Sequence, residues 1–169
     1  MAITLTDIKK MIDSYADKIN VPVHLRPTYG NWKECHPNIE VDKNGQLRYE
    51  IYERGKQIKN EFALDEDDLC FRIFEGITFT MAHFFQLDKI EQDQRKFLFA
   101  KQEELLGQLN EKWKDRQHVE HQSILKFRPF DDNANLRVEY FKKLRNSGMS
   151  YEDAIKQADK EFPPMTKDI

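Results

Sequence analysis

The chain has 169 residues, enough for one domain with a hydrophobic core of its own. Apolar residues make up 39% and aromatic residues 12%, a stock of buriable surface that a disordered chain lacks. The net charge of -3 sets aside direct nucleic-acid binding, which calls for a clustered Lys/Arg face, and two cysteines, Cys35 and Cys70, without C-x-x-C spacing set aside a disulfide framework.

The opening MAITLTDIKK lacks a basic start followed by an apolar run, so no signal peptide is expected. The most apolar stretch, 69–85, is interrupted by Arg72, Glu75 and His83 and is not expected to cross a membrane. Both features point to a cytoplasmic location.

A first helix is predicted over 5–19. There Leu5, Ile8, Ile12, Tyr15 and Ile19 mark one face, and Thr4 with Asp7 makes a capping-box start. Val21-Pro22 is expected to end it. Residues 21–37 are punctuated by Pro22, Pro27, Gly30 and Pro37, with His24, Tyr29 and Trp32 among them, and read as loop or short strand.

Residues 38–64 read as an antiparallel meander. Asn44-Gly45 stands between Ile39/Val41 and Leu47/Tyr49/Ile51 as a hairpin turn with both residues at positive φ. A second turn is expected near Arg54-Gly55, and a third strand around Ile58, Phe62 and Leu64. A central helix over 65–88 follows, capped by Asp65 with Asp68, with Leu64 and Leu69 as a hydrophobic staple. Its stripe of Cys70, Ile73, Phe74, Ile77, Met81, Phe84 and Phe85, widened by Phe71 and Phe79, predicts burial on most sides.

Further helices are predicted over 93–109 and from Asn110 to about Lys126. The pattern is equally compatible with one long helix. A helical hairpin is expected over 134–146 and 150–161, with Gly148 past the first helix and a Ser150/Asp153 capping box starting the second. The expected fold class is α+β: a small antiparallel β-meander of about three strands packed with an N-terminal helix and several longer C-terminal helices. One domain is expected over 1–169, with an α+β core to about 128 and the hairpin over about 133–162.

Catalytic signatures are missing. No G-x-G-x-x-G, P-loop, G-x-S-x-G or H-E-x-x-H pattern occurs, so no catalytic residue and no cofactor is assigned. His118 and His121 stand three apart and would share a helix face, which makes them candidate metal ligands. Lys112, Lys114, Asp115, Arg116 and Gln117 argue instead for a solvated polar face, and no third ligand is near. Cys35-His36 is read as a loop pair, because adjacent side chains rarely meet as nucleophile and base.

The run from Glu61 to Asp68 holds five acids and no base: Glu61, Asp65, Glu66, Asp67 and Asp68. Local capping accounts for much of it, and a patch of this sign also attracts a basic partner. Tyr52 and Arg54, at the end of a strand, are of the residue types favoured at interface hot spots. Tyr49 is read as packing on the central helix.

The strand and turn from Tyr49 to Gly55, the acidic helix start Asp65 to Leu69, the run Phe71 to Phe79, the segment Arg95 to Gln102, then Leu105-Leu106 and Trp113, resemble in that order the immunity protein 63 family of bacterial polymorphic toxin systems. The resemblance spans roughly Tyr49 to Pro129. It implies a non-catalytic protein that neutralises a cognate toxin domain by binding, with toxin and immunity genes adjacent. A basic nuclease is the toxin type that the acidic run would suit. Tyr52, Arg54, Glu61, Asp65, Glu66, Asp67 and Asp68 are the expected toxin-binding residues. The alternatives are an adaptor or oligomerising scaffold using the helices from Leu98 to Phe127, and a metal-dependent hydrolase using His118, Glu120 and His121.

Overall fold

Thr4 starts the first helix as its sequence predicts: its hydroxyl accepts from the Asp7 amide and the Asp7 carboxylate accepts from the Thr4 amide. In the computed structural model, which describes residues 3–31, 33–85 and 92–165, this helix, α1, spans Leu5–Lys18. It stops because Asn20 turns left-handed at φ 54°, letting the Val21 amide reach back to the Ala16 carbonyl.

The sheet has four strands in the order β1-β2-β3-β4: Thr28–Tyr29, Pro37–Val41, Leu47–Glu53 and Lys56–Phe62. The expected meander of about three is therefore short by one. The added strand, β1, has two residues and pairs parallel to β2, Thr28 opposite Asn38 and Tyr29 opposite Ile39. It lies in the Pro/Gly-rich region where no period can declare itself. Trp32, in that same region, lies outside the described residues.

The conformation expected of Asn44-Gly45 is found instead at the second turn. At Asn44-Gly45 only Gly45 has positive φ, 79°. The Asp42 carboxylate collects the amides of Asn44 and Gln46 at 2.8 and 2.9 Å and sets a longer loop. The tight turn with both central residues left-handed is Arg54-Gly55, at φ 51° and 72°, closing the pair Glu53–Lys56.

The central helix, α2, spans Glu66–Phe84; the expected 86–88 lie outside the described residues. Asp65 caps it by accepting from the Asp68 amide at 2.8 Å. The Leu64 staple is not made. Leu64 is 89% exposed, and its amide is drawn instead to the Asp68 carboxylate at 3.1 Å. Burial along the predicted stripe is also partial: Leu69 to Phe71, Ile73, Phe74 and Ile77 are buried, whereas Phe79 and Phe84 of α2, and Phe85 just past its end, are exposed. Then come α3 (Arg95–Leu109), α4 (Glu111–Phe127), α5 (Ala134–Asn146) and α6 (Tyr151–Glu161). The fold is α+β, with a helix, a mostly antiparallel sheet and five helices among the described residues.

The open question at Asn110 is resolved by geometry. A Cβ on Gly107 would lie 3.7 Å from the Lys114 Cβ, although seven residues of continuous helix rise about 10 Å. The chain therefore folds back at Asn110, whose side chain accepts from the Lys112 amide at 3.0 Å as a cap.

Two compact units are formed. The first comprises Met1–Met81 with Gln102–Gln117 and holds the sheet, α1 and the α3–α4 turn. Its core joins Ile8, Ile12, Ile39, Tyr49, Leu69, Phe74, Leu106 and Trp113. Trp113 stacks on Phe74 at 6.0 Å and leans on Tyr15 at 5.1 Å. The second comprises Ala82–Lys101 with His118–Ile169. Leu98 and Phe99 pack there with Ala82, Leu125 and Phe130. The α5–α6 hairpin packs through Ala154 and Ala158, with Phe141 edge-on to Tyr151 and Tyr140 edge-on to Phe162.

Candidate functional site

Strand alternation gives the sheet two unlike faces. Ile39, Leu47 and Tyr49 enter the core. Burial, together with the nearby Glu75 and Glu61, raises the Tyr49 phenol to about 12, so it stays neutral. The opposite face carries a polar network. Glu50, 3% exposed, accepts from Gln57 at 3.1 Å, and from Asn38 and Arg48 at 3.4 and 3.5 Å. Gln57 also donates to the Tyr52 hydroxyl at 3.0 Å and accepts from Asn60 at 3.2 Å. The Arg48 guanidinium lies 5.0 Å over the Phe62 ring.

Tyr52 is thus on the polar face, opposite in sense to Tyr49. Arg54 sits at the exposed tip of the β3–β4 turn. Its strained backbone is held from outside the hairpin: the Glu34 carboxylate accepts from the amides of Arg54 and Gly55 at 2.7 and 2.8 Å. Nothing in the local pattern around Glu34 signals this clamp, because it acts across 20 residues.

The acidic run divides by environment. Glu61, on the core-facing side of β4, is ion-paired with Arg72. Asp68 is 6% exposed and accepts from Arg72 and Arg116, each at 2.9 Å, and from the Leu64 amide. Asp67 accepts from the buried Trp113 indole at 3.0 Å. Asp65 caps α2. Asp65, Glu66 and Asp67 remain exposed at the helix start. The Asp68–Arg72 spacing of four was readable as a helix pair; Arg116, 48 residues away, was not. Beneath the run, burial, with Asp67 and Glu66 nearby, raises the Cys70 thiol to about 12, so it is inert.

A cavity of about 330 Å³ opens between the sheet and α2, lined by His24, Cys35, His36, Ile51, Ile77 and Thr80 among others. The His36 ring is fixed between the Glu34 carbonyl at 2.9 Å and the His24 carbonyl at 2.8 Å. Cys35 is at positive φ, 58°, with its amide donating to the Tyr52 carbonyl at 2.7 Å.

The structure does not bring the two candidate metal ligands into one environment. His121 is 2% exposed and stacks on Phe99 at 3.8 Å and 7°, whereas His118 is exposed. Among the described residues no group of three or more His, Cys, Asp or Glu side chains is placed to hold a metal ion. Nor is any described helix long and apolar enough to cross a membrane.

With this arrangement in view, residues 43–123 match the model of a family of immunity proteins of polymorphic toxin systems, a class that is typically non-catalytic. The family is Immunity protein 63, and the match covers β3, β4, α2, α3 and most of α4, just under half of the chain. No curated protein and no solved structure matches the chain.

Proposed function

We propose that this protein neutralises a cognate toxin domain by direct protein–protein binding in the cytoplasm. The observation that carries the reading is the immunity-family match over 43–123, which contains the β3–β4 hairpin and the acidic start of α2. The binding residues are Tyr52, Arg54, Glu61, Asp65, Glu66, Asp67 and Asp68. They differ in role. Arg54, Asp65, Glu66 and Asp67 are exposed and available to touch a partner, while Glu61 and Asp68 are ion-paired with Arg72 and Arg116, which offset their charge. A basic toxin, such as a nuclease, suits that field.

Nanomolar neutralisation requires roughly 12 kcal/mol from an interface of about 800 Å² per partner. Titrating the purified toxin domain encoded immediately upstream into this protein tests the reading. A 1:1 complex at nanomolar affinity that weakens with salt is expected; no heat and no complex at micromolar concentrations would contradict it. A second reading, an adaptor or scaffold, draws on exposed Val119, Ile124 and Phe127 of α4. It requires self-association in light scattering.

A further inference from the structure

β4 is an edge strand: the sheet order ends on it. The Ala63 amide donates to the Leu47 carbonyl at 2.9 Å, and the register pairs Tyr49 with Glu61 and Ile51 with Lys59. In an antiparallel ladder bonded pairs alternate with unbonded ones. Residues 63, 61 and 59 therefore direct their backbone groups at β3, and Asn60 and Phe62 direct theirs away from it. Among the described residues no other strand receives those two amides and two carbonyls.

Natural sheets blunt such edges with proline, bulges or outward lysines. Here the blunting is confined to one end. The register shift opposite Ile51 and Tyr52 leaves Ile58 unpaired, and Lys56 follows the turn. Lys59 is turned inward, 5.0 Å over the Tyr49 ring and 3.7 Å from Glu61. From Ile58 to Leu64 the edge has no proline, and Ile58, Phe62 and Leu64 are 59%, 50% and 89% exposed. Asp65 and Glu66 lie exposed where it ends.

We infer that the Asn60–Phe62 edge of β4 receives an extended strand of the toxin domain, which continues the sheet; the inference rests on the toxin-neutralising reading above. The free groups are ladder groups, and the ligand that satisfies amides and carbonyls spaced two residues apart is another strand. The fitting strand presents apolar side chains to Ile58, Phe62 and Leu64 and a Lys or Arg to Asp65 and Glu66. A second copy fits worse. Two-fold pairing that uses both Asn60 and Phe62 centres on Glu61 and sets Glu61 against Glu61, a like-charge pair.

The test follows backbone amide exchange by NMR in the free protein and in its complex with a catalytically disabled form of the upstream-encoded toxin domain. On binding, the amides of Asn60 and Phe62 should slow at least a hundredfold. Asn60→Pro removes one outward donor and leaves the β3 ladder intact; it should weaken binding about tenfold or more, with Asn60→Ala at least tenfold tighter than Asn60→Pro. Exchange at Asn60 and Phe62 that is unchanged within a formed complex would overturn the inference while leaving toxin neutralisation standing, even if Asn60→Pro fails to fold. Protection that rises with concentration in the free protein would assign the edge to a second copy and overturn it likewise. A wild-type chain that forms no complex would remove the neutralisation reading and this one together.

Discussion

Asp68 gathers three donors: the Arg72 and Arg116 guanidinium groups and the Leu64 amide. Burial pushes its carboxyl up, but the bonds from Arg116, the Leu64 amide and Arg72 outweigh that and hold it below its ordinary value. A carboxyl depressed in the folded state stabilises fully above its unfolded value, about 3.9. That contribution is lost as pH falls through the folded value. Asp68→Asn should therefore lower stability by about 1–3 kcal/mol at pH 7. Its deficit against the wild type should narrow as pH drops below about 4. Denaturant titration across that range checks both the size and the sign. A deficit independent of pH would mean that shape, not charge, is what Asp68 supplies.

Asn110 and Trp113 both hold the α3–α4 turn. Asn110 caps α4 through the Lys112 amide, so Asn110→Ala should cost about 1 kcal/mol, read from the thermal midpoint. Trp113, one turn on, joins Phe74 of α2 and Tyr15 of α1. At 2% exposure, Trp113→Ala should cost about 3–5 kcal/mol, a large part of the 5–15 kcal/mol typical of a whole domain. A change under about 1 kcal/mol would show that the aromatic cluster is not what anchors α4.

Elements with their own local signals were legible in the sequence. The Thr4/Asp7 capping box forms as read, and Ser150 caps α6 through the Asp153 amide, with no reciprocal bond among the described residues to complete a box; α5 falls on 134–146 as expected. What failed was set partly at a distance and partly by short-range bonds from carboxylates to backbone amides. β1 exists because β2 lies beside it. The turn at Asn44-Gly45 is set by the Asp42 carboxylate. Leu64 is exposed because Asp68 takes its amide. The acidic run was visible as composition, but its division into paired and exposed carboxylates depends on Arg116 and Trp113, more than 40 residues further on.

For the molecule as a whole, binding of a toxin is the proposal that the family match supports. Cys70 is buried with its thiol pushed up, His121 is packed against Phe99, and the match is to an immunity family. Among the groups that face outward are a strand edge, the clamped Arg54-Gly55 turn and the carboxylates of Asp65, Glu66 and Asp67. The most direct measurement of the central claim is growth rescue: the toxin domain encoded immediately upstream is induced in a sensitive bacterial host with and without this protein. Neutralisation predicts that growth stops without it and returns to the uninduced rate with it, and that the two proteins co-purify in equal amounts. Growth arrest that persists at full expression of the folded protein would contradict the account.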